Sequence, residues 1–176
     1  MSAAEVEMLD RIKSFFFREM APPSEEDAGG PSAEDLRIAA CALLLEVAHA
    51  DDHFSAGERR HLRDLVRRHF GLRAEAAAEL IVVAEDERQR RTDLWGFARL
   101  VKTHYSTGQK LVLAEAMWGL VLADGRLAAR EDYIMRKISR LVGLKTGYLA
   151  EARKRHEAEA KAAPDAGVAR TREEAT

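Results

Sequence analysis

The chain has 176 residues, 47% hydrophobic and 33% charged, with a formal net charge of −2 at pH 7. This length suits one domain with short appendages, and the small net charge gives no chain-wide field for nucleic acid, so we expect no nucleic-acid partner. The single cysteine, Cys41, excludes an internal disulfide and a cysteine-built zinc site. No apolar run reaches the roughly 20 residues that cross a bilayer, and we expect a cytoplasmic location.

The N-terminal part of the chain predicts two segments. Residues 1–20 carry apolar side chains at helical spacing, including the run Phe15–Phe17, and predict an amphipathic helix. Residues 21–32 are rich in Pro, Gly and acidic residues, which is typical of a flexible linker. The N-terminal helix has three open roles: packing on the main domain, pairing with a second copy in a homodimer, or peripheral contact with the inner membrane.

Helical periodicity runs through residues 33–161, which we predict to form one all-α domain of seven or eight helices. The composition favours helices, since Ala, Leu, Glu and Arg are abundant, and no stretch shows the alternation of a strand. Helices are expected to begin after Ser32 and Ser55, and one to end at Gly71. Two more helices are expected over about 74–87 and about 92–106. Another should run from Gln109 to the acidic turn at Asp124, with one after that turn and a last one over about 146–160.

Several segments and side chains carry individual expectations. Glu85–Arg91 bears charges of both signs and is interpreted as a solvated junction between helices. The rings of Trp95, Phe97 and Trp118 fall on apolar faces and are expected to pack in the core. Tyr133 is expected to lie with the apolar residues that line the helix after the second acidic turn. Cys41 is expected to be a buried structural thiol. Residues 162–176 lack apolar periodicity and predict a disordered tail.

The chain contains one motif twice. Ala50-Asp51-Asp52 with Glu58 reappears as Ala123-Asp124-Gly125 with Glu131, a shift of 73 residues for both acids. An apolar run precedes each copy, and an amphipathic stretch that ends in Gly-Leu follows it. A repeated unit of helix, acidic turn and helix predicts two halves related by a pseudo-two-fold axis.

The duplicated acids form the candidate binding site. In each unit the aspartate lies where one helix ends, and the glutamate lies inside the next helix. Two corners related by symmetry would bring Asp51, Glu58, Asp124 and Glu131 near one axis. Clustered carboxylates repel one another unless a cation neutralises them, and the hard ions Ca²⁺ and Mg²⁺ prefer such oxygen ligands.

Helix capping is the alternative explanation of these acids. Ser55 and Glu58 have the spacing of a capping box, in which the side chains satisfy backbone N–H groups of the helix start. Ala128 occupies the matching cap position in the second copy, so that corner has no such box. His49 and His53 suggest zinc only weakly, because the helix is expected to break between them. His61, His69, His104 and His156 lack a partner pattern.

These corners, their preceding apolar helices and the Gly-Leu ends resemble the tellurite-resistance TerB family. The resemblance covers about residues 36–149, and the N-terminal stretch Met8–Phe16 is similar to that of stand-alone bacterial members. It implies an all-helical bundle with internal pseudo-symmetry and a shared acidic site proposed to bind metal. Matched by motif position, that site is Asp51, Glu58, Asp124 and Glu131. The resemblance also implies that the protein is associated with stress responses and with membrane-linked protein complexes. Asp52 replaces the glycine of the pattern.

We therefore expect a non-enzymatic module that binds a divalent cation or small polar ligand and docks protein partners in a bacterial stress response. The alternative is a purely structural adaptor whose acids are helix caps. A third alternative is a hydrolase that uses the carboxylates. It is the weaker one, because the sequence has no nucleophile elbow, phosphate loop or dinucleotide motif.

Overall fold

The computed structural model describes residues 30–50, 54–90, 94–123 and 129–162, without the side chains of 159, 160 and 162. The predicted N-terminal helix, most of the predicted linker, and residues 163–176 of the predicted tail therefore lie outside the described residues. Every regular element within the described ranges is a helix, which confirms the all-α prediction. No helix among the described residues is long and apolar enough to cross a bilayer.

Seven helices make up the described part of the chain. They are α1 (Ala33–Ala48), α2 (Ala56–Phe70), α3 (Ala74–Arg90), α4 (Trp95–His104), α5 (Thr107–Val121), α6 (Ala129–Leu141) and α7 (Thr146–Ala162). The bounds of α2 follow the sequence signals, since Ser55 caps its start and Gly71 ends it in the left-handed conformation. Predicted and observed starts also agree for α1, α3 and α7.

Helix α1 lies at the centre of the bundle. It packs against α2, α3, α4, α5 and α6. Every side chain from Ala39 to Leu45 is buried, so this helix is apolar around its whole circumference rather than along one stripe. Cys41 lies in this stretch, where burial raises the pKa of its thiol to about 12. The thiol is therefore buried as predicted.

The internal repeat comprises three helices in each unit. The unit α1-α2-α3 corresponds to α5-α6-α7, and α4 joins the two. In each unit the first helix packs on the third, and the second packs on the first helix of the other unit. Helices α1 and α5 also pack on each other. Exchanging the two units leaves this contact pattern unchanged, as an internal two-fold requires.

The ends of α2 and α6 repeat the same backbone geometry. Gly71 and Gly143 both have positive φ, at 61° and 76°. The following N–H groups, of Leu72 and Leu144, donate to the carbonyl oxygens five residues earlier, at 3.0 and 2.8 Å. This is the Schellman arrangement, which only a residue tolerant of positive φ completes without strain. The Gly-Leu signal in the sequence therefore has a local structural cause.

Three expectations about individual elements are wrong. Helix α3 continues to Arg90, so Glu85–Arg90 is not a junction between helices. Helix α5 begins at Thr107 rather than Gln109, because Ser106 and Gln109 form a capping box. The rings of Trp95 and Tyr133 are 58% and 64% exposed.

The exposure of these two rings follows from helix geometry. At about 100° per residue, Trp95 lies about 110° from the centre of the buried face formed by Phe97, Ala98 and Val101. Tyr133 lies on the side of α6 opposite the buried side chains. Phe97 and Trp118 are buried as predicted, and Trp118 Nε1 donates to the carbonyl oxygen of Leu149 at 3.0 Å.

Candidate functional site

Glu58 is fixed at the first corner by its capping box. Its backbone N–H donates to Ser55 Oγ at 3.2 Å, and its own Oε2 accepts from the backbone N–H of Ser55 at 2.6 Å. The predicted cap is thus present. Because an ionised carboxylate has two oxygens with about four lone-pair positions, this bond leaves acceptor capacity on Glu58.

Glu131 occupies the equivalent place in the second unit. It is the third residue of α6, as Glu58 is the third residue of α2. Both carboxylates therefore lie in the first turn of a helix, where the positive end of the helix dipole favours negative charge. Asp51 and Asp124, the other two predicted site residues, lie outside the described residues.

Glu58 and Glu131 line one small pocket, although 73 positions separate them in the sequence. The pocket lies where the last turns of α1 and α5 meet the first turns of α2 and α6. Its walls are Val47 and Ala48 of α1, Glu58 and His61 of α2, Leu120 and Val121 of α5, Ala123 after α5, and Glu131 of α6. Its volume is ≈ 10 Å³, about the room that a single water molecule requires.

His61 is a pocket residue that the sequence interpretation missed. Its Nε2 lies 2.9 Å from the carbonyl oxygen of Gly119. Since a carbonyl only accepts, Nε2 carries the proton in this bond, and in the neutral ring Nδ1 is then the acceptor. The spacing Glu58-x-x-His61 was the available signal, because residues three apart share a helix face.

Gly119 allows the close packing around His61. A Cβ built at this position would meet Leu65 of α2 and His156 of α7, each at 3.3 Å. Helices α2, α5 and α7 therefore approach one another at a residue without a side chain. This contact holds α2, and with it Glu58 and His61, against the end of α5.

A second polar cluster supports the first corner from α3. Arg88 donates from Nη1 to Glu46 Oε1 at 3.1 Å, and from Nη2 to Glu85 Oε1 at 2.8 Å. His49 Nε2 lies 3.5 Å from Glu85 Oε2, and its ring contacts Phe54 with centroids 4.6 Å apart. The hydrogen bonds from Arg88 are the largest cause that lowers the pKa of Glu85, to about 2. This cluster ties the end of α1 to α3.

The contacts of His49 bear on the zinc hypothesis. They turn His49 toward α3 and Phe54, while His53 lies outside the described residues. Within residues 30–50, 54–90, 94–123 and 129–162, no three or more His, Cys, Asp or Glu side chains are grouped so that they could hold a metal ion. Glu58 and Glu131 would therefore need further ligands to form a cation site.

Comparisons with known proteins agree with this architecture. The family described as tellurite resistance protein TerB matches residues 37–154. A crystal structure of a protein of unknown function from Porphyromonas gingivalis W83 is similar, with a TM-score of 0.56 and 17% identity. The match covers 71% of this chain and 95% of that one, and at this identity it shows the shared fold alone. No curated protein matches the chain. Because the family match spans most of the bundle, the chain belongs to the tellurite-resistance TerB family.

Proposed function

We propose that the protein is a non-enzymatic helical module that binds a divalent cation, Ca²⁺ or Mg²⁺, where its two acidic corners meet. The observation that carries this proposal is that Glu58 and Glu131 line one pocket. In this proposal Asp51 and Asp124 supply the remaining carboxylate ligands. Two or more carboxylates at one place repel each other, and a bound cation removes that cost.

The size and lining of the pocket support an ion rather than a larger ligand. A volume of ≈ 10 Å³ suits one water-sized species. This favours a binding module over a hydrolase. The cap at Glu58 is compatible with cation binding, because Oε2 accepts from Ser55 while Oε1 is a separate oxygen.

The biological setting of the proposal comes from the family. The family's description names tellurite resistance, so we place the module in a bacterial stress response, where it docks protein partners in the cytoplasm or at the inner membrane. A structural adaptor without a cation site is the second candidate. The complete capping box at Glu58 favours it, because the cap alone accounts for an acid at that position.

A single substitution, Glu58→Gln, separates the two candidates. In α5, Gln109 Oε1 accepts from the Ser106 backbone N–H at 2.7 Å, so glutamine completes the same cap without a charge. Glu58→Gln should therefore keep the cap and remove a cation ligand. Glu131→Gln makes the matching change in the second corner.

The measurement is a thermal melt with and without millimolar Ca²⁺ or Mg²⁺, joined to a calorimetric titration. A ligand that binds only the folded state adds about 2.7 kcal/mol at a hundredfold excess over its Kd. We expect the parent to gain stability with cation and both Gln variants to lose most of that gain. Ser55→Ala, which breaks the cap but keeps the carboxylate, should cost about 1 kcal/mol and still respond to cation. A parent that binds no cation in the titration would leave the adaptor as the function.

A further inference from the structure

Helices α2 and α3 expose faces of opposite charge. At about 100° per residue, Arg59, Arg60, Arg63 and Arg67 of α2 fall within an arc of about 100° that contains no acidic residue. All four are exposed, and the row extends about 12 Å along the helix. The whole chain has a net charge of −2, so this basic face is a local feature.

Several arginines elsewhere on the bundle are paired with acids, whereas those of the basic face are not paired with any acid that the structure describes. Arg136 and Arg153 each form an ion pair of 2.8 Å with an acid on their own helix. Among the described residues, Arg60, Arg63 and Arg67 have no ion pair, while the Arg59 guanidinium lies over the Phe54 ring at 5.2 Å. The basic face therefore carries charge that the described parts of the chain do not neutralise by direct contact.

Helix α3 carries the complementary face. Its exposed arc, also of about 100°, holds the acids Glu75, Glu79 and Asp86, with Val82 and Val83 between them. Val82 and Val83 are 68% and 43% exposed. Asp86 pairs with Arg90 at 2.8 Å, which leaves the acidic charge at the Glu75 and Glu79 end of the face. We call this arc the acidic-apolar face.

The two faces lie on neighbouring helices. Helices α2 and α3 pack on each other, and both also pack on α1. Their buried residues, among them Leu62 and Val66 on α2 and Leu80 and Ala84 on α3, point inward, so the exposed arcs point away from the same central helix. The hairpin thus presents a basic helix beside an acidic one that carries exposed aliphatic side chains.

We propose that this hairpin is a homodimer interface, in which the basic face of α2 meets the acidic-apolar face of α3 of a second copy. A two-fold interface requires one surface patch that is complementary to itself, because each contact occurs twice with the roles exchanged. A hairpin with one basic and one acidic helix meets this condition. Val82 and Val83 provide the apolar surface that such an interface buries. The inference is independent of the proposed cation site.

Two charge-reversed variants test the interface. Arg60→Glu with Arg63→Glu removes the net positive charge of the basic face and sets two acids against Glu75 and Glu79 of the other copy. Glu75→Lys with Glu79→Lys makes the α3 face basic and sets two lysines against the arginines of the other copy. Each variant alone should stay monomeric, because like charges across an interface cost several kcal/mol, which raises the dissociation constant more than about a hundredfold. In an equimolar mixture the two variants are complementary at both contacts and should form a heterodimer.

Size-exclusion chromatography with light scattering gives the mass, to be compared with the chain mass of 19.6 kDa. The parent should dimerise, and the dimer should weaken between about 0.1 M and about 1 M salt, as the Debye length falls from about 10 Å to about 3 Å. Lys137→Glu with Arg140→Glu, an equally spaced exposed pair on α6, should leave the parent dimer unchanged. Melting curves of each variant verify that it is folded.

Three outcomes would overturn the proposal. The first is a parent that remains monomeric up to about 0.1 mM, where mass action favours association. The second is a parent dimer that survives both reversals, which would place the interface elsewhere. The third is a mixture of folded variants that does not form the heterodimer.

Discussion

The substitution Arg88→Met tests whether the polar cluster between α1 and α3 stabilises the bundle. Arg88 donates to Glu85 from Nε and Nη2 and to Glu46 from Nη1, and its side chain is only 19% exposed. Methionine keeps much of the apolar stem but removes the cation. The substitution leaves the carboxylates of Glu46 and Glu85 without the guanidinium between them, while Glu85 keeps the hydrogen bond from Gln89 Nε2 at 3.0 Å.

The expected loss follows from the pKa of Glu85. Its pKa is lowered from 4.5 to about 2, chiefly by the hydrogen bonds from Arg88. One pKa unit corresponds to about 1.4 kcal/mol, which limits the contribution of this group to about 3 kcal/mol. Partial exposure of the carboxylate reduces the expected loss to about 2 kcal/mol. For a domain of this size, that loss lowers the Tm by about 7 °C.

The pH dependence gives a second readout. A carboxyl group with a lowered pKa in the folded state stabilises that state above its unfolded pKa of 4.5, and this contribution is lost as the pH falls toward 2. The free energy of unfolding of the parent should therefore fall between pH 4.5 and about 2. The decrease should be smaller in Arg88→Met, because this variant lacks the hydrogen bonds from Arg88 that are the largest cause of the lowered pKa of Glu85.

Urea unfolding at neutral and acidic pH measures both effects. Arg136→Met is the matched control, because Arg136 pairs with Asp132 at the same 2.8 Å but is 58% exposed. It should cost less than about 0.5 kcal/mol. Equal losses for the two variants, or an unchanged pH profile in Arg88→Met, would refute the role assigned to burial of the Arg88 cluster.

Two further predictions concern single residues. Cys41 should react with a thiol reagent only as fast as the protein unfolds, since its side chain is fully buried and its pKa is raised to about 12; rapid labelling of the folded protein would contradict this. Gly71→Ala should destabilise the protein by about 1–2 kcal/mol because φ is 61° there. In the control Gly57→Ala, a Cβ would meet only Ser55 Oγ at 3.7 Å, and chemical unfolding should show a neutral or slightly stabilising effect.

The sequence alone predicts the features that depend on local chemistry. Ser55 with Glu58, and Gly71 before Leu72, act within one or two helical turns, so their spacing predicts the cap and the Schellman end that the structure contains. The same rule predicts the missed start of α5, since Ser106-x-x-Gln109 is also a capping box. The internal repeat is also predicted from the sequence alone, because the equal shift of the Asp and the Glu between the two copies can be read without knowing how the helices pack.

Tertiary structure decides which faces are covered. The charged run Glu85–Arg90 continues α3 with local pairs of Arg88 with Glu85 and of Arg90 with Asp86. The fold adds the contact of Arg88 with Glu46, a residue 42 positions away that no local pattern connects to it. Trp95 and Tyr133 are apolar enough for a core, yet each lies away from the buried face of its helix, and their rings are 58% and 64% exposed.

For the candidate site too, the sequence determines one part and the fold determines another. The duplicated motif identifies Glu58 and Glu131 as equivalent residues. Only the packing of α2 on α5 and of α6 on α1 brings them to one pocket, and the same packing adds His61 through the carbonyl oxygen of Gly119. Sequence spacing determines which side chains lie on one helix face, whereas contacts between helices determine which faces meet.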